Sequence, residues 1–167
     1  MKIMVFTEGT IFGHSNWLDL AREEIVRRVK EGERPDHAGT IPIGDAVRKI
    51  QAWNDAGAEI LYLTSRRSLD EVEQVREILQ RYRFPAGRLF FRLEGEEYKD
   101  AAARAMPDIL IEDDCESIGG EIEMTYPHIR SEIKTRIVSI VVKEFGGIDH
   151  LPESLSELMS YERRITR

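Results

Sequence analysis

Hydroxyl, basic and acidic side chains follow the ends of several short apolar runs in this sequence. The segment Thr7–Thr10, which contains Glu8, follows the first run; Thr64–Arg66 follows a second, and Asp113–Asp114 a third, with Lys99 shortly before it. Hydroxyl and backbone N–H groups hold phosphate oxygens, a lysine offsets their charge, and carboxylates bind Mg²⁺ through hard oxygen ligands. Together these residue types suit a site for a phosphate group and a divalent cation.

Alternating strands and helices are predicted to position these residues. Short apolar runs indicate buried strands, and amphipathic segments between them indicate helices. The predicted strands cover residues 2–6, 59–63, 89–91, 108–112 and 137–142. Strands that alternate with helices form a parallel sheet that is covered on both faces. We therefore expect one α/β domain over residues 1–167, a Rossmann-like three-layer fold with a mostly parallel central sheet.

Capping signals and apolar stripes predict where the helices lie. They are expected to begin near Ser15 or Asn16, at Gly44, at Ser68, at Glu97 and near Pro152. The third is the best defined, because Ser68 and Glu71 match the capping-box pattern. Pro152 suits the first turn of a helix. Residues 32–43 are expected to form a loop, and residues 116–133 favour no particular element.

The first polar segment carries a family resemblance. In open parallel sheets ligands bind outside the carboxyl ends of the strands, so the polar segments are expected to meet there. The order of these polar segments along the chain resembles the motif order of the haloacid dehalogenase-like superfamily, whose members are mostly Mg²⁺-dependent phosphohydrolases. The family's first motif is Asp-x-Asp-Gly-Thr after the first strand; residues 6–10 align with it and keep Gly9 and Thr10. The resemblance covers about residues 1–145.

Three further motifs of that family have counterparts in the same order. Thr64 matches the hydroxyl residue that ends the second motif's strand, Lys99 the motif lysine, and Asp113–Asp114 the acidic pair after a strand. The resemblance implies that Asp113 and Asp114 bind Mg²⁺ and that phosphate is bound by Thr10, Thr64, Ser65 and Lys99. The short intervals between motifs leave no room for a large cap domain. The resemblance therefore implies a capless or minimally capped member, a type that often acts on macromolecular or bulky substrates.

Phe6 is the main departure from the family pattern. The family's first Asp attacks phosphorus and also binds Mg²⁺, and Phe6 stands at that position. A phenyl ring has no lone pair, so neither role is available to it, and covalent catalysis of the usual kind is not expected. Glu8 aligns with the general acid/base, where its extra methylene changes the geometry. Mg²⁺ binding is expected to be weakened by the loss of the first Asp.

Three kinds of function remain open. The first is a phosphatase-like protein that has lost phosphoryl transfer and acts as a binding or regulatory module for a phosphorylated small molecule or a protein partner. The second is a Mg²⁺-dependent phosphohydrolase with a displaced nucleophile, either Thr7 or Glu8. The third is an assembly protein with no small-molecule site. The sequence does not choose the ligand or the oligomeric state.

Composition narrows the class of partner and compartment. The formal net charge of −7 disfavours nucleic acid, which is bound by clustered cations, although the stretch Arg66–Arg92 is rich in arginine. That stretch is either a solvated surface or an anion-attracting rim around a ligand site. The single cysteine, Cys115, excludes an internal disulfide. No apolar stretch is long enough to span a membrane, so a cytoplasmic protein without membrane association is expected.

Each candidate residue also has a purely structural interpretation. Asp113–Asp114 suits a turn or helix cap, Thr64–Ser65 suits a loop, and Lys99 suits an ordinary solvated surface. His14 is expected to be a loop residue near the site, and Cys115 an inert thiol. The position of Phe6 is decisive for the site: if it packs inward the site is closed, whereas a shifted turn would aim Glu8 into the cleft.

Overall fold

The computed structural model describes residues 1–161, and its centre is a parallel five-stranded sheet. In chain order the strands of this sheet are Lys2–Phe6 (β1), Glu59–Leu63 (β4), Arg88–Phe90 (β5), Ile109–Asp113 (β6) and Val138–Val142 (β7). Their spatial order is β5-β4-β1-β6-β7, and every pairing within the sheet is parallel. The expected α/β class is confirmed, and the arrangement is consistent with a Rossmann-like fold.

Helices cover both faces of this sheet. The α-helices are Arg22–Lys30 (α1), Ala46–Asp55 (α2), Leu69–Arg81 (α3), Tyr98–Ala105 (α4), Ser131–Lys134 (α5) and Leu155–Met159 (α6). Successive side chains of a strand point to opposite faces. Ile3 and Val5 accordingly share a core with α2 and α3, whereas Met4 packs on the other face with the alanines of α4. This alternation along β1 creates the three layers.

Two predictions for the first forty residues were wrong. Residues 32–43 are not all loop, since Thr40–Pro42 (β3) pairs antiparallel with Phe12–His14 (β2). These strands have three residues each, too few to show an alternating pattern. The first helix does not start at Ser15 or Asn16, because residues 15–17 form a single 3₁₀ turn. His14 caps that turn by accepting a hydrogen bond from the Asn16 amide at 3.1 Å.

The last helix is also displaced from its predicted start. Pro152 precedes it, and α6 begins at Leu155 with Ser154 as its N-cap. Pro152 instead offers its carbonyl to the indole N–H of Trp53 at 2.9 Å. Trp53 is fully buried, so this bond satisfies a polar group that the core would otherwise leave unpaired. In the described part of the chain, no helix is long and apolar enough to cross a lipid bilayer.

The segment after β6 is held in place by a buried carboxylate. Residues 120–123 and 126–128 form short 3₁₀ helices. Glu112, at the end of β6, accepts hydrogen bonds from the amides of Thr125 at 2.6 Å and Tyr126 at 2.8 Å. Met124 and Ile129 are buried nearby. The segment is therefore fixed to the sheet by one internal side chain, which local patterning could not reveal.

The cap of α3 provides a first testable result. Ser68 accepts a hydrogen bond from the amide of Glu71, and its hydroxyl also contacts the Glu71 carboxylate at 3.0 Å. Replacing Ser68 by Ala should lower the free energy of unfolding by about 1 kcal/mol, because one amide of the first turn loses its acceptor. Ser68→Asp, which keeps an acceptor, should stay near the parent in urea unfolding. Equal losses in both variants would contradict the cap.

Candidate functional site

A cleft of about 300 Å³ lies where the carboxyl ends of β1, β4 and β6 meet. It is the place where open parallel sheets bind ligands. Its floor and walls include Phe6, Glu8, Ser65, Arg66, Asp113 and Glu144. We call this the site cleft. It brings together side chains that are more than a hundred residues apart in the sequence.

Glu8 lies at the centre of a group of hydrogen-bond donors. Its carboxylate accepts the hydroxyl of Thr64 at 2.5 Å and the amide of Ser65 at 3.2 Å, and also contacts the hydroxyl of Thr7. The Nε of Arg66 is 3.6 Å from the same carboxylate. Two of the predicted phosphate-binding residues, Thr64 and Ser65, thus converge with a cation on one oxyanion. The oxyanion that they bind in this structure is the Glu8 carboxylate of the same chain.

Phe6 forms an apolar wall of the site cleft rather than closing it. Its half-buried ring packs edge-on against Tyr98, with ring centroids 5.3 Å apart. The guanidinium of Arg92 covers Tyr98 at 4.1 Å from the ring centroid and donates to the carbonyl of Ser65 at 2.9 Å. Both Phe6 and Glu8 therefore face the cleft, and Glu8 is the carboxylate that the first motif contributes.

The hydroxyls of Thr7 and Thr10, like that of Thr64, are fully buried and already bonded to carboxylates. Thr7 is fully buried and donates to Glu8 and to the carbonyl of Leu63. Thr10 is also fully buried, and its hydroxyl donates to Asp113 Oδ2 at 2.7 Å. The phosphate-binding role predicted for Thr10 does not match this position, because its hydroxyl holds Asp113 beneath the cleft. Thr7 is likewise placed where it cannot act as a nucleophile.

Gly9 brings the first motif against the acidic pair. It has a φ of +80°, and a Cβ added there would lie 3.0 Å from Asp113 Oδ2. A larger residue would suffer both from the left-handed backbone and from this close approach. The Gly-Thr of the first motif thus has a structural explanation, since Gly9 makes room for Asp113 and Thr10 binds it.

Two carboxylates of the site cleft, Asp113 and Glu144, lie close to a third, Asp114, which is outside the lining of the cleft. Oxygens of Asp113, Asp114 and Glu144 lie within 4.8 Å of one another. Burial, reinforced by Glu144 and Glu112, raises the pKa of Asp113 to about 7. Carboxylate oxygens are the ligands that Mg²⁺ prefers, so the donor set fits this ion, and Asp113, Asp114 and Glu144 would hold it. Bound there, the ion would supply positive charge for a phosphate oxygen.

The same carboxylates also organise the loops around them. Asp113 accepts the amide of Cys115 at 2.9 Å, and Asp114 accepts the amide of Glu144 at 3.1 Å. Glu144 accepts both the amide and the hydroxyl of Ser117 at 2.6 Å. Asp113 and Asp114 therefore hold turns by accepting backbone amides, as the structural interpretation predicted. Their carboxylate oxygens nevertheless lie close together.

Glu144 was missed by sequence reasoning, although a signal existed. It lies two residues after β7, at the same sheet edge as the other polar segments. The rule that ligands lie beyond strand ends applies equally to the fifth strand. The sequence predicts that strand, and Glu144 follows it as the polar segments follow the other strands.

Lys99 is a predicted site residue that lies away from the cleft. It lies on α4, its ammonium is paired with Glu97 at 2.9 Å, and it lines a separate hollow beside His128 and Arg130. The cation that does line the cleft beside Glu8 is Arg66. A helix begins at Tyr98, so adjacent residues point to different sides, and Tyr98 rather than Lys99 faces the cleft.

His14 and Cys115 lie at the margins of the cleft. His14 ends β2 instead of lying in a loop; it is buried, pairs with Asp36 at 3.1 Å and caps the following turn. Cys115 is partly buried, and burial raises the pKa of its thiol well above the usual range. Such a thiol is a poor nucleophile, in agreement with the prediction of an inert side chain.

Magnesium should stabilise the protein if the three carboxylates bind it. A ligand that binds only the folded state at a hundred times its Kd adds about 2.7 kcal/mol, or roughly 8 °C in melting temperature for a chain of this size. Asp113→Asn and Glu144→Gln should each remove most of this shift in thermal melts. Glu132→Gln, at an exposed glutamate outside the cleft, is the matched control. An equal Mg²⁺ response in all four proteins would exclude this site.

Comparison of the chain with protein-family models and with curated proteins gave no match. The resemblance to a superfamily therefore stays a prediction from the order of the motifs in the sequence.

Proposed function

We infer that the chain is a phosphatase-like binding module of the haloacid dehalogenase type, which holds a phosphorylated ligand without forming an aspartyl-phosphate. The observation that carries this proposal is the set of donors around Glu8. Thr64, Ser65 and Arg66 present a hydroxyl, an amide and a guanidinium to one carboxylate at the carboxyl end of β4. A phosphate oxygen uses the same kinds of donor as a carboxylate oxygen.

The carboxylate of Glu8 shows that this group of donors can hold an oxyanion. It also means that a phosphate must displace Glu8 or share the donors with it. The side chain of Glu8 is about one-quarter exposed, so it has room to leave. Phosphate binding is thus expected to be weak in the parent chain, and to strengthen when the carboxylate is removed or moves aside.

Phe6 supports binding rather than turnover. It occupies the motif position that would attack phosphorus, and its ring forms the cleft wall beside Tyr98. No bond to phosphorus can form from a phenyl ring. Thr7 is buried, which leaves Glu8 as the only first-motif side chain with an oxygen in the cleft.

That position of Glu8 favours one alternative, a Mg²⁺-dependent phosphohydrolase in which Glu8 is the displaced nucleophile. Its exposure to the cleft supports this activity. Its hydrogen bonds to Thr64 and Ser65 oppose it, because each one stabilises the resting carboxylate and lowers its nucleophilicity. Use of Glu8 as the nucleophile would also leave the acid/base role unfilled.

Binding of inorganic phosphate tests the proposal. Glu8→Ala should raise the affinity about tenfold, because a like charge a few ångströms away is worth one to a few kcal/mol. Thr64→Val should lower it by about the same factor through loss of a hydrogen bond to a charged group. Calorimetric titration measures both effects directly.

Matched controls come from residues outside the cleft. Glu59→Ala removes the same charge at the opposite end of β4, and Thr135→Val removes an exposed hydroxyl. Neither should alter phosphate affinity by more than about twofold. If Glu59→Ala strengthens phosphate binding as much as Glu8→Ala does, the gain comes from the net charge of the chain, and the anion site is refuted. Mg²⁺-dependent release of phosphate from an ester by the parent, lost in Glu8→Gln, would establish the alternative.

A further inference from the structure

A second and larger groove, of about 610 Å³, lies at the free edge of the sheet. It runs along β5, between the end of α3 on one face of the sheet and Arg104 of α4 on the other. Its apolar lining includes Leu79, Phe84 and Leu89. It shares no lining residue with the site cleft, and it is independent of the function proposed above.

The edge of β5 offers unused backbone groups to this groove. The carbonyl of Phe90 accepts the amide of Thr64 at 3.0 Å and so faces inward to the sheet. By the two-residue alternation of a strand, the amide and carbonyl of Leu89 face outward. The next outward carbonyl, that of Phe91, accepts a hydrogen bond from Arg104 at 3.1 Å. An added strand would therefore pair at Leu89.

The charge of the groove is positive, against a chain of net charge −7. Three arginines line it, Arg76, Arg88 and Arg104, and no carboxylate does so among residues 1–161. Arg104 is paired with Glu96 at 3.0 Å, and the Arg76–Glu73 pair is long, at 3.9 Å, and solvated. Arg88 is exposed, lies 4.6 Å above the ring of Phe90, and has no ion-pair partner within the described residues.

We propose that this groove binds an extended acidic segment of a partner protein, which adds as a strand to the edge of β5. An extended chain presents alternate side chains on the same side, so acidic residues at every second position can face Arg88 and its neighbours. Its backbone supplies hydrogen-bond partners for the Leu89 amide and carbonyl, which have none among residues 1–161. Apolar side chains on the other side would cover Leu79 and Phe84.

Charge also selects against two other occupants. A second copy paired antiparallel to β5 about a twofold axis at Leu89 would place the two copies of Arg88 diagonally across the pair, within reach of each other, where like charges repel. A nucleic acid would match the arginines but cannot form the backbone ladder, and the remainder of the chain is acidic. These two occupants are outcomes that the test must separate from the peptide.

The test uses the full chain and a fluorescent peptide of alternating Val and Glu, followed by anisotropy. Arg88→Glu should weaken binding about tenfold or more through like-charge repulsion. Arg136→Glu, at an exposed arginine elsewhere, makes the same change in net charge and should leave binding unchanged. A Val–Lys peptide should not bind. Arg88 is exposed, so its replacement should preserve the fold, and circular dichroism checks this. Arg88→Gln should give an intermediate loss.

Further outcomes decide the mode of binding. Methylation of the peptide's alternate backbone amides should abolish binding, and retention would overturn strand addition. Equal weakening by Arg136→Glu, equal binding of single-stranded DNA, or no peptide binding by the parent would each overturn the proposal. A parent dimer in sedimentation that Arg88→Glu dissociates would replace it by self-association. Glu8→Ala should bind the peptide like the parent, so failure here is distinguishable from failure of the phosphate site.

Discussion

Replacing Phe6 by Asp should produce Mg²⁺-dependent hydrolysis of small phosphate esters at least about a thousandfold faster than by the parent, the scale seen when a nucleophile is lost or regained. The new carboxylate would stand in the site cleft beside Glu8, where the phenyl ring now packs on Tyr98. Asp113 and Glu144 already lie in the same cleft, where their carboxylate oxygens would hold the ion. The expected gain depends on Arg66 replacing Lys99 as the cation and on Asp113 and Glu144 binding the metal ion.

Two further variants make this result interpretable. Phe6→Asn has almost the same shape as Phe6→Asp but no nucleophilic carboxylate, so it should remain inactive. The double variant Phe6→Asp, Glu8→Asp should exceed Phe6→Asp, because the shorter side chain reaches the donors of Thr64 and Ser65 less well and leaves them to the substrate phosphate. A colorimetric phosphate assay with and without Mg²⁺ measures all of them. If Phe6→Asp and the double variant are both inactive, the cleft lacks other groups needed for phosphoryl transfer besides the nucleophile.

The fold follows closely from patterns that are local in the sequence. The strands at Lys2–Phe6 and Glu59–Leu63 and the cap at Ser68 were all predicted, because each depends on neighbouring residues. The errors fall on elements fixed by distant contacts. The strand Thr40–Pro42 exists through pairing with Phe12–His14, and the segment after β6 is ordered by Glu112.

The site was predictable at the level of strand ends but not of individual side chains. Strand topology alone predicts that Glu8, Thr64 and Asp113 approach one another, and they line or border one cleft. Adjacent residues of a helix point about 100° apart, so the sequence does not show which of two neighbours faces the cleft. Lys99 was therefore predicted where Tyr98 stands, and the cation is supplied by Arg66, one residue beyond a predicted pair. Thr10 was assigned to the ligand but binds Asp113.

The motifs alone could not predict that the Glu8 carboxylate accepts hydrogen bonds from Thr64 and Ser65. A shorter aspartate at this position would leave more space before the hydroxyl of Thr64 and the amide of Ser65. The extra methylene of glutamate allows the carboxylate to reach both. Compared with the motif that the sequence resembles, glutamate at position 8 occupies the donors at rest, and phenylalanine at position 6 offers no nucleophile.

Glu112→Ala should lower the free energy of unfolding by about 3 kcal/mol, the largest stability effect expected in this molecule outside its apolar core. Glu112 is buried and accepts the amides of Thr125 and Tyr126, which would both lose their acceptor. Glu112→Gln keeps one acceptor oxygen and should cost about 1 kcal/mol. Urea unfolding measures both, with Glu132→Ala as an exposed control. A loss below that of Glu132→Ala would show that the segment is held by other contacts.

The pH dependence of these variants tests how Glu112 is held. Burial raises its pKa above the ordinary value of 4.5, against the opposing effect of the two amide hydrogen bonds. The folded state then binds the proton more tightly than the unfolded state, so the stability that this group contributes is complete below pH 4.5 and declines as the pH rises above it. Glu112→Gln removes this dependence, whereas the raised pKa of Asp113 affects parent and variant alike. The difference in the free energy of unfolding between the parent and Glu112→Gln should therefore become smaller as the pH rises. If it widens instead, the two amides outweigh burial, and the segment after β6 is held by a charged carboxylate.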